Sequence, residues 1–437
     1  MIENLSILLQ LFIFILFFSF PLNIFNKQKI FKNYSLSISD CYCLNIIFHL
    51  NLLLVVSFFD INQFFYFYTI IFITLFFNIF YLKKYLNFYL EDKEQLINFI
   101  FFFIIAMGLF LNIASEVKLE WDALAHWIWK TTNFYEDIGI RNIKNLPFAE
   151  YPHLGPYVWS FFWKNSIIPY EYFGRLFYLF FYIVSIFSIF NYFFKKQYLT
   201  KCFLVTFCIF LTFDAFIFSG YQEYLLFAIL VIVSRFSFLF IREVKYIFIL
   251  IFSSHLLMWI KDEGLFQYII FTIPFILIAK FNNTKKLIIL LITLSLPLIQ
   301  FLIQKYFMGY YGFQADIINN TLIDLFNYKI LFPKLFLITK YIIISMIKYK
   351  LWLINIVAIF AIFIYSQKYR SIFCVYWIIL FLNISFLYAV YLHTPYFSEF
   401  LLKVTLDRLV FQTSGFYLPI FLILARKLFI SSKNRAF

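Results

Sequence analysis

The chain has 437 residues, of which 64% are hydrophobic, 25% aromatic and 13% charged. Soluble domains are about half apolar and about a quarter charged, so these proportions exclude both a water-soluble enzyme and a disordered chain. The net charge is +14, from 36 Lys and Arg against 22 Asp and Glu. The lysines occupy short hinges between apolar runs, which points to positive cytoplasmic loops and away from a nucleic-acid partner.

At about 20 residues per span the length allows roughly a dozen membrane helices. The expected fold is all-α: a polytopic transmembrane bundle of about 11–13 spans, forming a single integral membrane domain over 1–437. The first apolar run, near 5–25, lacks a basic flank and a small-residue cleavage site, so it reads as a span and not as a signal peptide. Further runs fall near 41–59, 63–82, 96–113, 171–194, 201–217, 222–241, 246–259, 265–280, 286–304, 351–366, 372–391 and 412–428. The 69 Phe reflect a biased coding composition, and aromatic stripes carry no cofactor reading. Cys41-Tyr42-Cys43 is too tight for a zinc pair, and the five cysteines form no disulfide framework.

Basic residues set the sides. Lys27, Lys29 and Lys32 share one hinge, followed by Lys83 and Lys84, then Lys195, Lys196 and Lys201, then Arg242 and Lys245, Lys280, Lys285 and Lys286, Lys368 and Arg370, and the basic tail. This alternation puts the N-terminus outside. It holds only if 330–348 lies on or dips into the outer interface, within a second outer loop at 305–350. The opposite loops are 115–170, 218–222, 260–264, 305–333 and 392–411, and almost every unusual polar cluster falls in them.

The first cluster, within 115–170, is Glu120-Trp121-Asp122-Ala123-Leu124-Ala125-His126-Trp127-Ile128-Trp129-Lys130. It reads as a short amphipathic helix with Trp121, Trp127 and Trp129 at headgroup depth and with Asp122 and His126 one turn apart. Two readings stand: an aromatic anchor with solvated acids, or a carboxylate raised beside apolar surface and able to take a proton from a hydroxyl. Glu150-Tyr151-Pro152-His153-Leu154-Gly155-Pro156 presents His153 from a stiff backbone, for a structural or a substrate-touching role. Ser219-Gly220-Tyr221-Gln222-Glu223 puts an acid at the start of a span, where the helix dipole alone would favour it. Lys261-Asp262-Glu263-Gly264 is a charged hairpin tip whose members pair with one another or with something else. Thr394-Pro395 precedes Asp407-Arg408 and Gln412; Asp407-Arg408 reads as an ion pair, or Arg408 as a bidentate phosphate ligand. Glycine-rich phosphate loops, HExxH and GxSxG patterns are missing, which argues against primary active transport.

These clusters, in this order, resemble the GT-C class of polytopic glycosyltransferases, specifically bacterial members related to the dolichyl-phosphate-mannose-type mannosyltransferases and the Rgt-like sugar transferases. The resemblance rests on Trp121-Asp122-Ala123 with Trp127 and Lys130, then Tyr151-Pro152 with Leu154 and Pro156. Gly220-Tyr221-Gln222-Glu223, Lys261-Asp262-Glu263-Gly264, and Thr394-Pro395 with Asp407-Arg408 and Gln412 complete it. Thr131 stands where that class usually has Ala, and the outside N-terminus departs from its usual orientation. The resemblance implies transfer of a sugar from a polyprenyl-phosphate donor to a hydroxyl of a glycan, lipid or protein acceptor, with inversion, on the periplasmic or extracellular side of a bacterial inner membrane. It implies Asp122 as general base, Glu223 and Glu263 lining the acceptor or sugar pocket, and Arg408 with Lys261 on the departing phosphate. Glu120, His126, Lys130, Tyr151, His153, Asp407 and Gln412 join them as substrate-binding candidates. Some members use a divalent ion, for which Asp122, Glu223 and Glu263 offer oxygen ligands; no cofactor is assigned. A transporter or flippase of a lipid-linked or anionic solute and a catalytically silent scaffold are the competing readings. A transporter would need ionisable residues inside the membrane, for which Asp214, Arg235 and His255, read as lying near span ends, are the candidates.

Overall fold

A computed structural model describes residues 2–22, 36–59, 61–91, 93–114, 118–194, 197–213, 219–242, 246–279, 281–308, 328–347, 351–366, 370–392 and 398–433. The described residues are helical with short connections and contain no strand. Lys27, Asp214, Lys368 and Thr394-Pro395 lie outside them.

The helices are α1 (Ile2–Phe17), α2 (Ile38–Val56), α3 (Gln63–Glu91), α4 (Lys93–Ala114), α5 (Ile128–Tyr135), α6 (Leu154–Lys164), α7 (Tyr172–Phe193), α8 (Tyr198–Thr212) and α9 (Glu223–Arg242). They continue with α10 (Ile247–Ser254), α11 (Leu256–Ile260), α12 (Glu263–Ile278), α13 (Asn283–Met308), α14 (Tyr328–Ile347), α15 (Trp352–Ser366), α16 (Arg370–Leu392) and α17 (Glu399–Lys433). Six stretches are long and apolar enough to cross a membrane: Ile38–Val56, Gln63–Phe80, Tyr172–Phe193, Glu223–Phe240, Asn283–Met308 and Cys374–Leu392. Shorter apolar helices cover Glu3–Phe17, Leu96–Leu111, Tyr198–Thr212, Ile247–Ile260, Glu263–Ile278 and Leu353–Ile364. In lipid a helix satisfies its own backbone polar groups, so this all-helical outcome follows from the composition. The expected loop at 392–411 is helical from Glu399 onward, because α17 runs through Asp407-Arg408 without a break.

The chain divides into two compact units, Met1–Ala228 and Ile229–Phe437, with the boundary inside α9. In the first unit, α7 is the central element and packs against α2, α4, α6 and α8. Aromatic rings fill this core. Phe14, Phe17 and Phe18 of the α1 segment meet Phe161, Phe162, Phe177 and Phe180 with ring centroids 5.2–6.3 Å apart, in mostly tilted or edge-on contacts as ring quadrupoles favour. Polar side chains inside the unit satisfy turns. Asn45 Nδ2 donates to the Phe18 carbonyl at 2.8 Å, and the Leu22 N–H donates to Asn45 Oδ1 at 3.0 Å, which pins the chain where it leaves α1. At the start of α2, Ser37 and Asp40 form a reciprocal capping box that satisfies two otherwise orphaned N–H groups.

The second unit is built around α17, which packs on α14, α15 and α16, while α12 packs on α13 and α16. Within segment 330–348, the residues up to Ile347 belong to helix α14. It turns Ile338, Ile342 and Ser345 inward and leaves Phe332, Phe336, Ile343 and Ile347 exposed. Its polar side is fastened by Thr339 to the Tyr388 hydroxyl at 2.7 Å, by Tyr341 to Glu399 and by Ser345 to Asp407.

Candidate functional site

In the first unit, the loop between α4 and α7 is itself folded. Residues Ala123–Trp127 form one π-helical turn that leads into α5, residues Ile140–Asn145 form a 3₁₀ turn, and α6 follows. A π turn inserts an extra residue into the helical register. Here Trp127 enters the core while Trp121 and Trp129 stay outside. Trp121 and Trp129 are 68% and 52% exposed, whereas Trp127 is 1% exposed. Two of the three expected interfacial tryptophans therefore face outward, and the third is a core residue packed 5.5 Å from the Tyr151 ring.

Two contacts place the segment before this turn. The Glu120 N–H donates to the Ser219 carbonyl at 3.1 Å. Next to it Gly220 adopts φ +98°, where a side chain would be strained. A Cβ there would stand 2.5 Å from Ala123 Cβ and 2.9 Å from Leu119 Cδ2. Only glycine permits so close an approach, which sets Asp122 beside the turn that ends at Glu223. Asp122 is half-buried, Glu120 is exposed, and Glu223, the first residue of α9, is fully buried.

His126 is nearly buried in an aromatic box. Its ring lies 5.4 Å from Trp121, 3.9 Å from Phe148 and 5.1 Å from Tyr151. Lys130 is fully buried, and its ammonium donates to the carbonyls of Phe148 and Tyr151 at 2.7 and 2.6 Å. It also stands 5.8 Å from the Tyr151 ring centre. Charge-assisted bonds of this kind are the stronger hydrogen bonds, so Lys130 holds the 148–151 turn in place. His153 is also fully buried. Its Nε2 lies 2.8 Å from Ser57 Oγ, whose own proton goes to the Leu54 carbonyl at 2.6 Å. Nε2 therefore carries a proton and donates, which leaves Nδ1 as the basic nitrogen. Burial, reinforced by the Lys130 charge, lowers the His153 pKa from its ordinary 6.5 to about 3. The geometry thus gives Lys130 and His153 fastening roles.

Sequence reasoning passed over Gln222 and Tyr178. Gln222 is buried against Gly155, where an added Cβ would meet its Oε1 at 2.1 Å. The Tyr178 hydroxyl donates to the Gly155 carbonyl at 2.9 Å. Together they lock the Pro152–Pro156 stretch to α7 and to the start of α9. Gln222 sits inside the cluster that pointed to Glu223, but nothing in the one-dimensional pattern distinguished it.

In the second unit, α11 and α12 form a tight helical hairpin. Lys261 is extended at φ −148°, ψ 156°, and Gly264 lies so close to the preceding helix that a Cβ would be 1.9 Å from the Leu257 carbonyl oxygen. Lys261 is buried and pairs with the half-exposed Glu263 at 3.5 Å. One turn on, Gln267 Nε2 donates to Gln412 Oε1 at 2.8 Å, and both side chains are buried. Asp407 accepts from Ser345, and Arg408 is buried one residue on. Tyr391 hydrogen-bonds Thr405 at 2.8 Å and lies within Coulombic reach of Glu263, Arg408 and Asp407. Residues from three separated stretches thus converge inside this unit. Tyr391 is a member the sequence did not single out.

Arg235 is fully buried seven residues before the end of α9, about 10 Å inside it at 1.5 Å per residue. It stands five residues before Phe240, where the apolar span ends. Among the described residues, no group of three or more His, Cys, Asp or Glu side chains is spaced to hold a metal ion. No known family model, curated protein or solved structure matches the chain.

Proposed function

We propose that the chain is a membrane glycosyltransferase that moves a sugar from a polyprenyl-phosphate donor to an acceptor hydroxyl at the non-cytoplasmic face. The observation that carries this reading is the glycine-enforced contact of the Asp122 segment with the turn leading to Glu223. It gives an acid, flanked by outward-facing tryptophans, a fixed place at the end of an apolar helix. A donor with a lipid tail and a water-soluble sugar needs its reacting atoms at that depth.

In the proposed reaction, the Asp122 carboxylate takes the acceptor hydroxyl proton as the acceptor oxygen attacks the anomeric carbon. The bond from that carbon to the phosphate oxygen breaks, and its electron pair leaves with the polyprenyl phosphate. Prenyl phosphate is already a fair leaving group, so stabilising its charge matters more than protonating it. The family resemblance, and no observed contact, assigns that charge to Arg408 with Lys261, and sugar or acceptor hydroxyls to Glu223 and Glu263.

The test is transfer of labelled sugar from a polyprenyl-phosphate donor extract by purified wild type and Asp122→Asn. Transfer by wild type alone is expected. Equal transfer by both would remove Asp122 from the mechanism and point to Glu120 or Glu223. The second reading, a transporter of a lipid-linked or anionic solute, is favoured by Arg235 inside α9, because intramembrane cations commonly mark pathways. Vectorial flux in acceptor-free liposomes would support that reading instead.

A further inference from the structure

Among the described residues, two that are not glycine have a positive φ: Asp137 at 57° and Phe148 at 55°. A short polar side chain such as Asp tolerates this left-handed region, whereas a bulky residue is strained in it. Two hydrogen bonds hold Phe148 there. Its carbonyl accepts from the buried Lys130 ammonium at 2.7 Å and from the Tyr151 N–H at 3.2 Å. Both use only the backbone of residue 148, so glycine or asparagine would close the same turn at less cost. The turn does not account for the ring, and strained residues of this kind cluster at sites that use them. The Phe148 ring is 41% exposed and its centre lies 3.9 Å from that of His126. Trp121, 68% exposed, lies 5.4 Å from the same imidazole. Two outward-facing aromatic rings are thus seated on one nearly buried histidine. Exposed carboxylates adjoin both in the chain: Glu120 precedes Trp121, and Glu150 stands two residues after Phe148. Asp122 follows Trp121 directly.

We propose that Trp121 and Phe148 are the stacking platform for a pyranose ring of the acceptor, which makes the acceptor a saccharide and not a peptide. The role of that sugar rests on the sugar transfer proposed above. A pyranose carries a face of C–H groups with partial positive charge and a rim of hydroxyls. Aromatic faces carry the opposite partial charge over a flat apolar area, and carboxylates accept from hydroxyls in charge-assisted bonds. An alkyl chain of the bilayer would use the apolar area alone and gain nothing from Glu120 and Glu150. A peptide hydroxyl brings no flat C–H face to the rings. The neighbouring Asp122 is the group assigned to the acceptor proton, so the ring held here belongs to the acceptor and not to the donor.

Saturation-transfer NMR of the full chain in phosphatidylcholine nanodiscs tests this. The probes are the methyl pyranosides of glucose, galactose, mannose and N-acetylglucosamine, with a threonine-containing tripeptide beside them. Wild type should pass saturation to the ring C–H protons of at least one pyranoside and none to the peptide. Aromatic stacking beyond area burial corresponds to roughly 2- to 12-fold in affinity, so Trp121→Leu and Phe148→Leu should each weaken binding by that factor. Trp121→Phe and Phe148→Tyr should keep it. Leucine retains apolar area and, at 148, the same backbone strain, so a mere membrane anchor would survive both leucine variants. No pyranoside bound by wild type, undiminished binding in either leucine variant, or the peptide bound in a pyranoside's place would overturn the assignment. The two readings fail separately. Wild type that transfers labelled sugar yet binds no pyranoside on these rings sinks the platform alone. Wild type that binds pyranosides through the rings yet transfers nothing sinks sugar transfer and leaves the rings a saccharide site.

Discussion

Acid should unfasten the loop between α4 and α7 from the end of α2 through one residue, His153. Its pKa falls from 6.5 to about 3 on folding, so between those values the unfolded chain binds a proton that the folded chain does not. The stabilisation from burying neutral His153 is therefore complete above pH 6.5 and is lost as pH falls toward 3. At 1.36 kcal/mol per pH unit, the loss is about 2 kcal/mol at pH 5 and about 3 kcal/mol at pH 4. For a unit of this size, 2 kcal/mol corresponds to roughly 4–8 °C in Tm. The assay is thermal unfolding in detergent from pH 7.5 to 4.5 for wild type and His153→Gln. The variant keeps an amide donor for Ser57 but has no titrating group. It should start less stable and then lose less, so the two curves converge by several degrees at pH 5. Carboxylates elsewhere titrate in both proteins and cancel in the difference. Parallel curves would refute the argument, because they would mean that His153 takes up its proton in the folded state at no cost.

Gly264→Ala should destabilise the second unit by about 2–4 kcal/mol, since the new methyl meets a backbone carbonyl that cannot move aside; unchanged thermal stability would contradict that. Gln267→Leu and Gln412→Leu should each cost about 1–3 kcal/mol by stranding the partner amide. Thermal unfolding of the double variant should show less than their sum, whereas strict additivity would deny the pairing. Lys130→Met should cost about 2–4 kcal/mol by releasing the Phe148 and Tyr151 carbonyls, and limited proteolysis should then cut faster near 148–151.

The helices and most of their bounds were legible because apolar runs of span length leave few alternatives. Which helices would be enclosed was not. The apolar window within Tyr172–Phe193 is 89% buried and that within Asn283–Met308 is 17% buried, though both are strongly apolar. In a bilayer, lipid and protein interior make similar demands on a side chain, so hydropathy does not separate them. The same limit explains Trp127, which sequence alone grouped with its two exposed neighbours. The candidate polar positions could be found because Asp122, Glu223, Lys261 and Arg408 are costly residues beside apolar sequence. The partners that hold such clusters, Ser57, Gln222 and Tyr391, are common residues whose importance comes only from distant contacts. The helix through 399–411 was missed because its charges resemble those of a loop, while its inward face is supplied by Leu402, Leu406 and Leu409.

The hydrogen bond from Glu120 to Ser219 joins positions 99 residues apart, and synthesis proceeds from the N-terminus. The segment bearing Asp122 is thus made long before the turn that receives it. Until Gly220 has emerged, Ala123 lacks that contact, and four helices, α5 to α8, must be laid down in between. The order of assembly is thereby set: the loop takes its final shape only when α9 begins. Nascent chains arrested before residue 219 should expose 118–130 to protease, and chains arrested well beyond 242 should protect it.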